Sequence, residues 1–188
     1  MTSATVSLDT IADDLTKEAI RKEQLVPDGR FIVMNSSRNA YGRYNKANNA
    51  GNAVVVASHG AGVGHVSFMA DAFWAGALCH PLRSKNEQTV MTRYLFYILK
   101  QREGFIADTL ASKGGIPYVN RKTLNKMRLC IPPLPIQHIV VSMLDRLDSY
   151  VNGLSSGLPA EIEARQKQYE WWRDRLLAFR QQTPTTLG

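Results

Sequence analysis

Hydrophobic and polar positions follow two different rhythms along this chain. Through the first two-thirds they form short blocks. Residues 31–34 (FIVM) and 53–57 (AVVVA) are largely β-branched runs bounded by Asn, Ser and Gly, which predicts two strands. The segment between them, SSRNAYGRYNKANNAGN, is polar and turn-rich, which predicts a long loop or loose hairpin. A glycine-rich turn, SHGAGVGHVSF, follows the second strand. In 90–101 (VMTRYLFYILKQ), Met91, Tyr94, Leu95 and Ile98 share one face of a predicted helix that ends near Gly104. IPYV (116–119) and RLCI (128–131) predict two further strands.

The last third keeps helical time. Pro132, Pro133 and Pro135 stop the sheet, and Pro135 can open a helix. Apolar residues then recur at alternating spacings of four and three: Ile136, Val140, Met143, Leu147, Tyr150 and Leu154. NGLSSG (152–157) breaks this helix, and Pro159, with Glu161 and Glu163 in the first turn, starts another. Its seam reads Leu158, Ile162, Arg165, Tyr169, Trp172, Leu176 and Phe179, a coiled-coil pattern over roughly 33 Å at 1.5 Å per residue. Trp171 beside Trp172 gives more apolar surface than one hairpin seam needs, which predicts a helix seeking a partner. The fold class expected is α+β: a loop-rich mixed domain over 1–134, then a helical, coiled-coil spacer hairpin over 135–188.

Length and composition narrow this picture. The 188 residues are 44% hydrophobic and 21% charged, enough to bury a core and unlike a disordered chain. No apolar run reaches the ~18–20 residues needed to span a bilayer. The N-terminal MTSATVSLDTIADDL lacks the basic start and apolar stretch of a signal peptide. Two cysteines without a CxxC pair make no disulfide framework. A cytoplasmic protein without membrane contact is expected.

Charge changes the picture more. The net charge is +7, and its distribution is uneven. From Gly29 to Ala70 there is no acidic residue, but Arg30, Arg38, Arg43 and Lys46 are present. From Thr109 to Leu144 there is again no acid, with Lys113, Arg121, Lys122, Lys126 and Arg128. The rest of the chain carries 14 basic against 16 acidic residues, so the whole surplus lies in these two windows. If they meet on one face, they form an electrostatic footprint for a polyanion.

Catalytic readings fit poorly. Ser58-His59 in VASHG lacks the glycine of a nucleophile elbow, because Val56 stands two residues before the serine. Gly60, Gly62 and Gly64 miss the dinucleotide spacing, so a tight turn letting backbone approach closely is the simpler reading. Cys79-His80 has no second ligand pair at metal spacing, which leaves a buried, inert cysteine. No carboxylate–carboxylate–lysine cluster of the nuclease kind is present. The chain reads as a binder, with no cofactor and no metal. A protein-interaction adaptor and a small DNA-processing enzyme with a basic face are the alternatives.

Several ordered motifs resemble one family. GLPAEIEARQKQYEWWRDRLLAF (157–179) and IPPLPIQHIVVSMLDRLDSYVNGL (131–154) resemble the helical region of type I restriction–modification specificity subunits. FWAGALCHPL (73–82), YLFYILK (94–100) and GGIPYVNRKTLNKMRLCIPPL (114–134) resemble landmarks of that family's target recognition domain. The resemblance implies a non-catalytic subunit that reads one half of a bipartite sequence in double-stranded DNA. Its helices would dock the modification (methyltransferase) subunit and, through it, the restriction subunit. Typical members carry two recognition domains and two helical regions. One of each here implies either a half-subunit that forms a homodimer through its C-terminal helices or the N-terminal part of a longer reader.

By position, the resemblance puts DNA contacts on three loops. The first carries Arg38, Tyr41, Arg43, Tyr44 and Lys46; the second, Ser58 and His59; the third, Lys113, Tyr118, Asn120, Arg121 and Lys122. Leu158, Ile162, Tyr169, Trp171, Trp172, Leu176 and Phe179 are assigned to packing, within the chain or against a partner.

Overall fold

The computed structural model describes residues 4–112, 114–153 and 159–178. Strand β1 (Ala4–Ser7), a short helical turn α1 (Leu8–Ile11) and β2 (Ala12–Asp14) come first. They are followed by β3 (Phe31–Met34), β4 (Gly42–Tyr44), β5 (Ala53–Ala57), β6 (Val66–Met69), β7 (Phe73–Ala75) and β8 (Cys79–Ser84). Helix α2 (Thr92–Gln101) continues through a single turn, α3 (Glu103–Phe105), into a π-helical stretch over 106–110. Then come α4 (Arg121–Asn125), β9 (Arg128–Ile131), α5 (Leu134–Gly153) and α6 (Pro159–Leu177).

The central sheet has the order β2-β8-β5-β6 and is antiparallel throughout. A second sheet, β4-β3-β7, contains the parallel pair β3–β7, while β1 and β9 pair antiparallel at registers Ala4↔Ile131 to Ser7↔Arg128. Strand β5 explains how these parts stack. Its five residues are all buried, which a one-faced strand would not need. Ala53 and Val55 join the cluster with Met34, Phe73, Ala75 and Cys79 on the second sheet's side, whereas Val54 and Val56 face the cluster around Leu95 and Leu99 of α2. The apolar run without alternation is thus the signature of a strand covered on both faces.

Helix α2 is enclosed more fully than its predicted face required. Tyr94, Leu95 and Ile98 are buried as expected, but so are Phe96, Tyr97 and Leu99, because α5 and α6 cover the side turned away from the sheet. Arg93 fastens this contact: its Nε and NH2 lie 2.7 and 2.6 Å from Asp145 Oδ1, which also accepts the Tyr97 hydroxyl. The same guanidinium lies 4.4 Å from the ring centroid of Phe68.

Two sequence expectations are corrected. IPYV (116–119) is not a strand; it makes only single bridges, His59↔Tyr118 and Ala111↔Val119. Of the two forms expected for the polar segment 36–52, its first part takes the hairpin, with β4 pairing antiparallel to β3. The seam of the first long helix is also displaced. Gln137, Val140, Val141 and Leu144 are the residues α5 buries, while Met143 and Tyr150 are 48% and 62% exposed. This i, i+3, i+4, i+7 stripe faces α2, so α5 serves two neighbours and not one seam. Fully buried Gln137 ties the helix in place: its amide donates to Thr89 O and Pro132 O and accepts from Met91 N. The hydrophobic core therefore runs across residue 134 without a gap, from Leu129 and Ile131 to Val140 and Leu144. Among the described residues no helix is long and apolar enough to cross a membrane.

Candidate nucleic-acid interface

The second predicted loop is the centre of the site. After β5 the chain turns through His59 into a 3-10 turn over Gly60–Gly62 and returns as β6. Gly60 (φ 71°) and Gly64 (φ 82°) occupy the left-handed region that side chains disfavour. Gly62 is required for another reason. A Cβ there would lie 2.2 Å from Ser36 O, so only glycine lets the first loop come down on this turn.

The third loop is stitched to the same turn by backbone. Gly60 N donates to Pro117 O (2.9 Å), Val119 N to Ser58 O (2.8 Å), and His59 bridges Tyr118. Buried His80 donates from Nε2 to Val119 O at 2.8 Å, and burial pulls its pKa below the ordinary value. The two acid-free windows of the sequence therefore meet where residues 58–60 bond Pro117–Val119, and Ser36 of the first window lies against Gly62 of the same turn.

From the far side, Glu103 anchors the returning strand. Its Oε1 takes hydrogen bonds from Val66 N and Lys100 Nζ, both 2.6 Å, and lies 3.1 Å from His65 Nδ1. Burial alone would push this carboxyl up, but the donors from His65, Lys100 and Val66 hold it down at about 2.

The predicted contact residues divide by what already holds them. Arg38, Tyr41 and Lys46 are exposed, as are Tyr118, Asn120 and Lys122. Among the described residues Arg38, Lys46 and Lys122 have no acidic partner. Arg43 is exposed yet spent on the backbone, donating to Gly29 O and Arg30 O. Tyr44 meets Trp74 edge to face at 5.1 Å between centroids, a packing contact. Asn120 caps α4, its Oδ1 accepting from Lys122 N. Two predicted contacts are displaced. Ser58 does not project from the turn but is fully buried, and Arg121 is drawn in to pair with Asp14 at 2.5 Å, where burial lowers its pKa. Lys113 lies outside the described residues.

The helical assignments resolve into one groove. Met143, Arg146, Leu147 and Tyr150 of α5 face Trp172 and Leu176 of α6 across an open, largely apolar cleft of about 330 Å³. Tyr169 and Leu176 pack partly onto the core, while Trp171 and Trp172 remain 53% and 40% exposed. Leu154, Leu158 and Phe179 lie outside the described residues, as does the side chain of Ile162.

Cys79 is buried, donating towards Gly76 O, and burial pushes its thiol up to about 12, an inert state. Among the described residues no group of three His, Cys, Asp or Glu side chains gathers to hold a metal.

A ridge of loops joined by backbone bonds on a mixed α+β scaffold defines a recognition module. The chain belongs to the family described as the type I restriction modification DNA specificity domain, which matches residues 2–164. It is 37% identical over 94 residues to a putative type I restriction enzyme specificity subunit of Haemophilus influenzae, covering 50% of this chain and 23% of that protein. It is 30% identical over 152 residues to a putative type I specificity subunit of Mycoplasma pneumoniae, covering 79% and 48%. Its fold is similar to that of the type I restriction–modification S subunit from M. genitalium, with a TM-score of 0.74 at 22% identity over 83% of this chain and 41% of that one. It also resembles the HsdS subunit from Thermoanaerobacter tengcongensis, with a TM-score of 0.61 at 15% identity over 93% and 44%. The chain thus spans less than half the length of each of these relatives.

Proposed function

We propose that this chain is a non-catalytic DNA reader that recognises one half of a bipartite target. Residues 1–134 supply the reading surface and 135–188 a helical spacer. The observation that carries this reading is the junction of the two acid-free windows, where residues 58–60 bond Pro117–Val119, with exposed Arg38 two residues beyond Ser36 and exposed Lys122 three residues beyond Val119, while exposed Lys46 follows β4 in the first window. Phosphate contacts from these cations would set the register, and loop side chains would read base edges. The groove beside Trp172 would dock a methyltransferase subunit, and through it a restriction subunit, or the helices of a second copy in the cytoplasm. One reader sees one half-site, so a two-fold pair would select an inverted repeat with a fixed unread spacer.

Replacing Arg38, Lys46 and Lys122 together by alanine should weaken duplex binding and reduce its salt slope by about one unit for each phosphate no longer neutralised. A protein-interaction adaptor would show no salt-dependent duplex binding in the unaltered chain. An unchanged slope in a normally folded triple variant would overturn the assignment of the ridge.

A further inference from the structure

We propose that His59 reads an acceptor edge of guanine and that buried Ser58 fixes the histidine in the tautomer this requires. The inference rests on the DNA-reading function and deepens it to one residue and one base.

Ser58 is fully buried, and its backbone is already engaged: N donates to Leu78 O (3.0 Å) and O accepts from Val119 N (2.8 Å). Its hydroxyl has one partner among the described residues, His59 Nδ1 at 2.7 Å. That contact can be made in two ways. If the imidazole donated from Nδ1, the serine hydrogen would be left buried without an acceptor, which is costly. If the hydroxyl donates, both groups are satisfied, and the remaining ring proton sits on Nε2. The second arrangement leaves both groups paired.

The ring is held in orientation as well as in tautomer. Tyr118 stacks on it at 5.7 Å between centroids with 23° between planes, and the backbone bridge joins the same two residues. His59 thus meets Ser58 with one edge and Tyr118 with one face, while Nε2 has no protein partner among the described residues. A rigid single donor on a loop ridge suits a base that presents acceptors without a neighbouring donor. In the major groove guanine offers two adjacent acceptors, N7 and O6, whereas adenine and cytosine present amino donors and thymine a single acceptor, O4, beside its methyl group.

Three measurements on the full chain test this. Long-range proton–nitrogen NMR of the free protein should show the His59 Nε2–H tautomer, and Ser58→Ala should turn it into a mixture while the fold is retained. Selection from random duplexes should then show a guanine preference at one position, reduced about tenfold in His59→Ala and less so in Ser58→Ala. His59→Gln, which keeps a donor, should retain part of it. Substituting 7-deazaguanine at that position should weaken binding by the unaltered protein, which a phosphate contact would not. An Nδ1–H tautomer, or a base preference unchanged in His59→Ala, would overturn the inference while leaving salt-dependent DNA binding intact. Absence of salt-dependent binding in the unaltered chain would instead overturn the DNA-reading function itself.

Discussion

At the loop ridge, side chains stand where backbone hydrogen bonds and a missing Cβ put them. Gly60, Gly62 and the carbonyls of Ser36, Ser58 and Pro117 bring three segments together that are far apart in sequence. In the groove between α5 and α6, side chains stand where helical periodicity puts them: Met143, Leu147 and Tyr150 along one helix, Trp172 and Leu176 along the other. The ridge depends on backbone approach, so it tolerates varied side chains at its tips but not a changed turn. The groove depends on apolar side chains, so its surface changes with single substitutions while the helices beneath it persist. The proposed reading surface and the proposed docking surface would differ in this way, since one must vary with the target and the other must fit a constant partner.

The sharpest test of the helical side contrasts adjacent residues. Leu144 is fully buried against α2 and Met143 opens onto the groove. Leu144→Ala should cost about 3 kcal/mol of stability, and Met143→Ala less than about 1 kcal/mol, measured by urea unfolding. Equal costs would mean that α5 does not present two distinct faces.

The corresponding test of the ridge is Gly62→Ala. With Ser36 O only 2.2 Å from the new Cβ, the first loop must move off the turn. A loss of about 2 kcal/mol and weaker duplex binding are expected, by unfolding and by titration with DNA. Unchanged binding would show that Arg38 and its neighbours reach DNA independently of the turn.

A smaller effect should come from the anchor behind the ridge. Glu103 has its folded pKa depressed from 4.5 to about 2, so the stability it contributes is present above about pH 4.5 and is lost as the pH falls towards 2. Glu103→Gln should lower stability by about 1–2 kcal/mol at neutral pH, and the gap between variant and parent should close between those two values. A gap independent of pH would mean that the carboxylate charge is not what holds Val66 and His65.

Particular residues show how far the sequence could be read. The runs at 31–34, 53–57 and 128–131 carried enough β-branched and apolar character to mark β3, β5 and β9. The strands β1, β2, β7 and β8 were not legible. Ala12–Asp14 is a strand through its pairing with β8, a contact distant in sequence, and Cys79–Ser84 contains a proline and charged or polar residues that a local pattern reads as a turn. At the ridge, the sequence singled out the glycines, His59 and Tyr118 but placed Ser58 on the surface. Burial of a serine is invisible until β5 and β8 are stacked around it.

Composition and local period, by themselves, determined that this chain has an unbroken apolar strand, a helical last third, and a positive surplus confined to two acid-free windows. These are properties of neighbouring residues, and neighbours in sequence impose them whatever the rest of the molecule does. The tertiary structure decided which side of α5 is core and which is groove, that Arg121 is taken by Asp14, and that the two windows meet at His59. Each of these depends on contacts between segments separated by tens of residues. Such contacts are selected by the packing and hydrogen-bond satisfaction of the whole core, which no local period records.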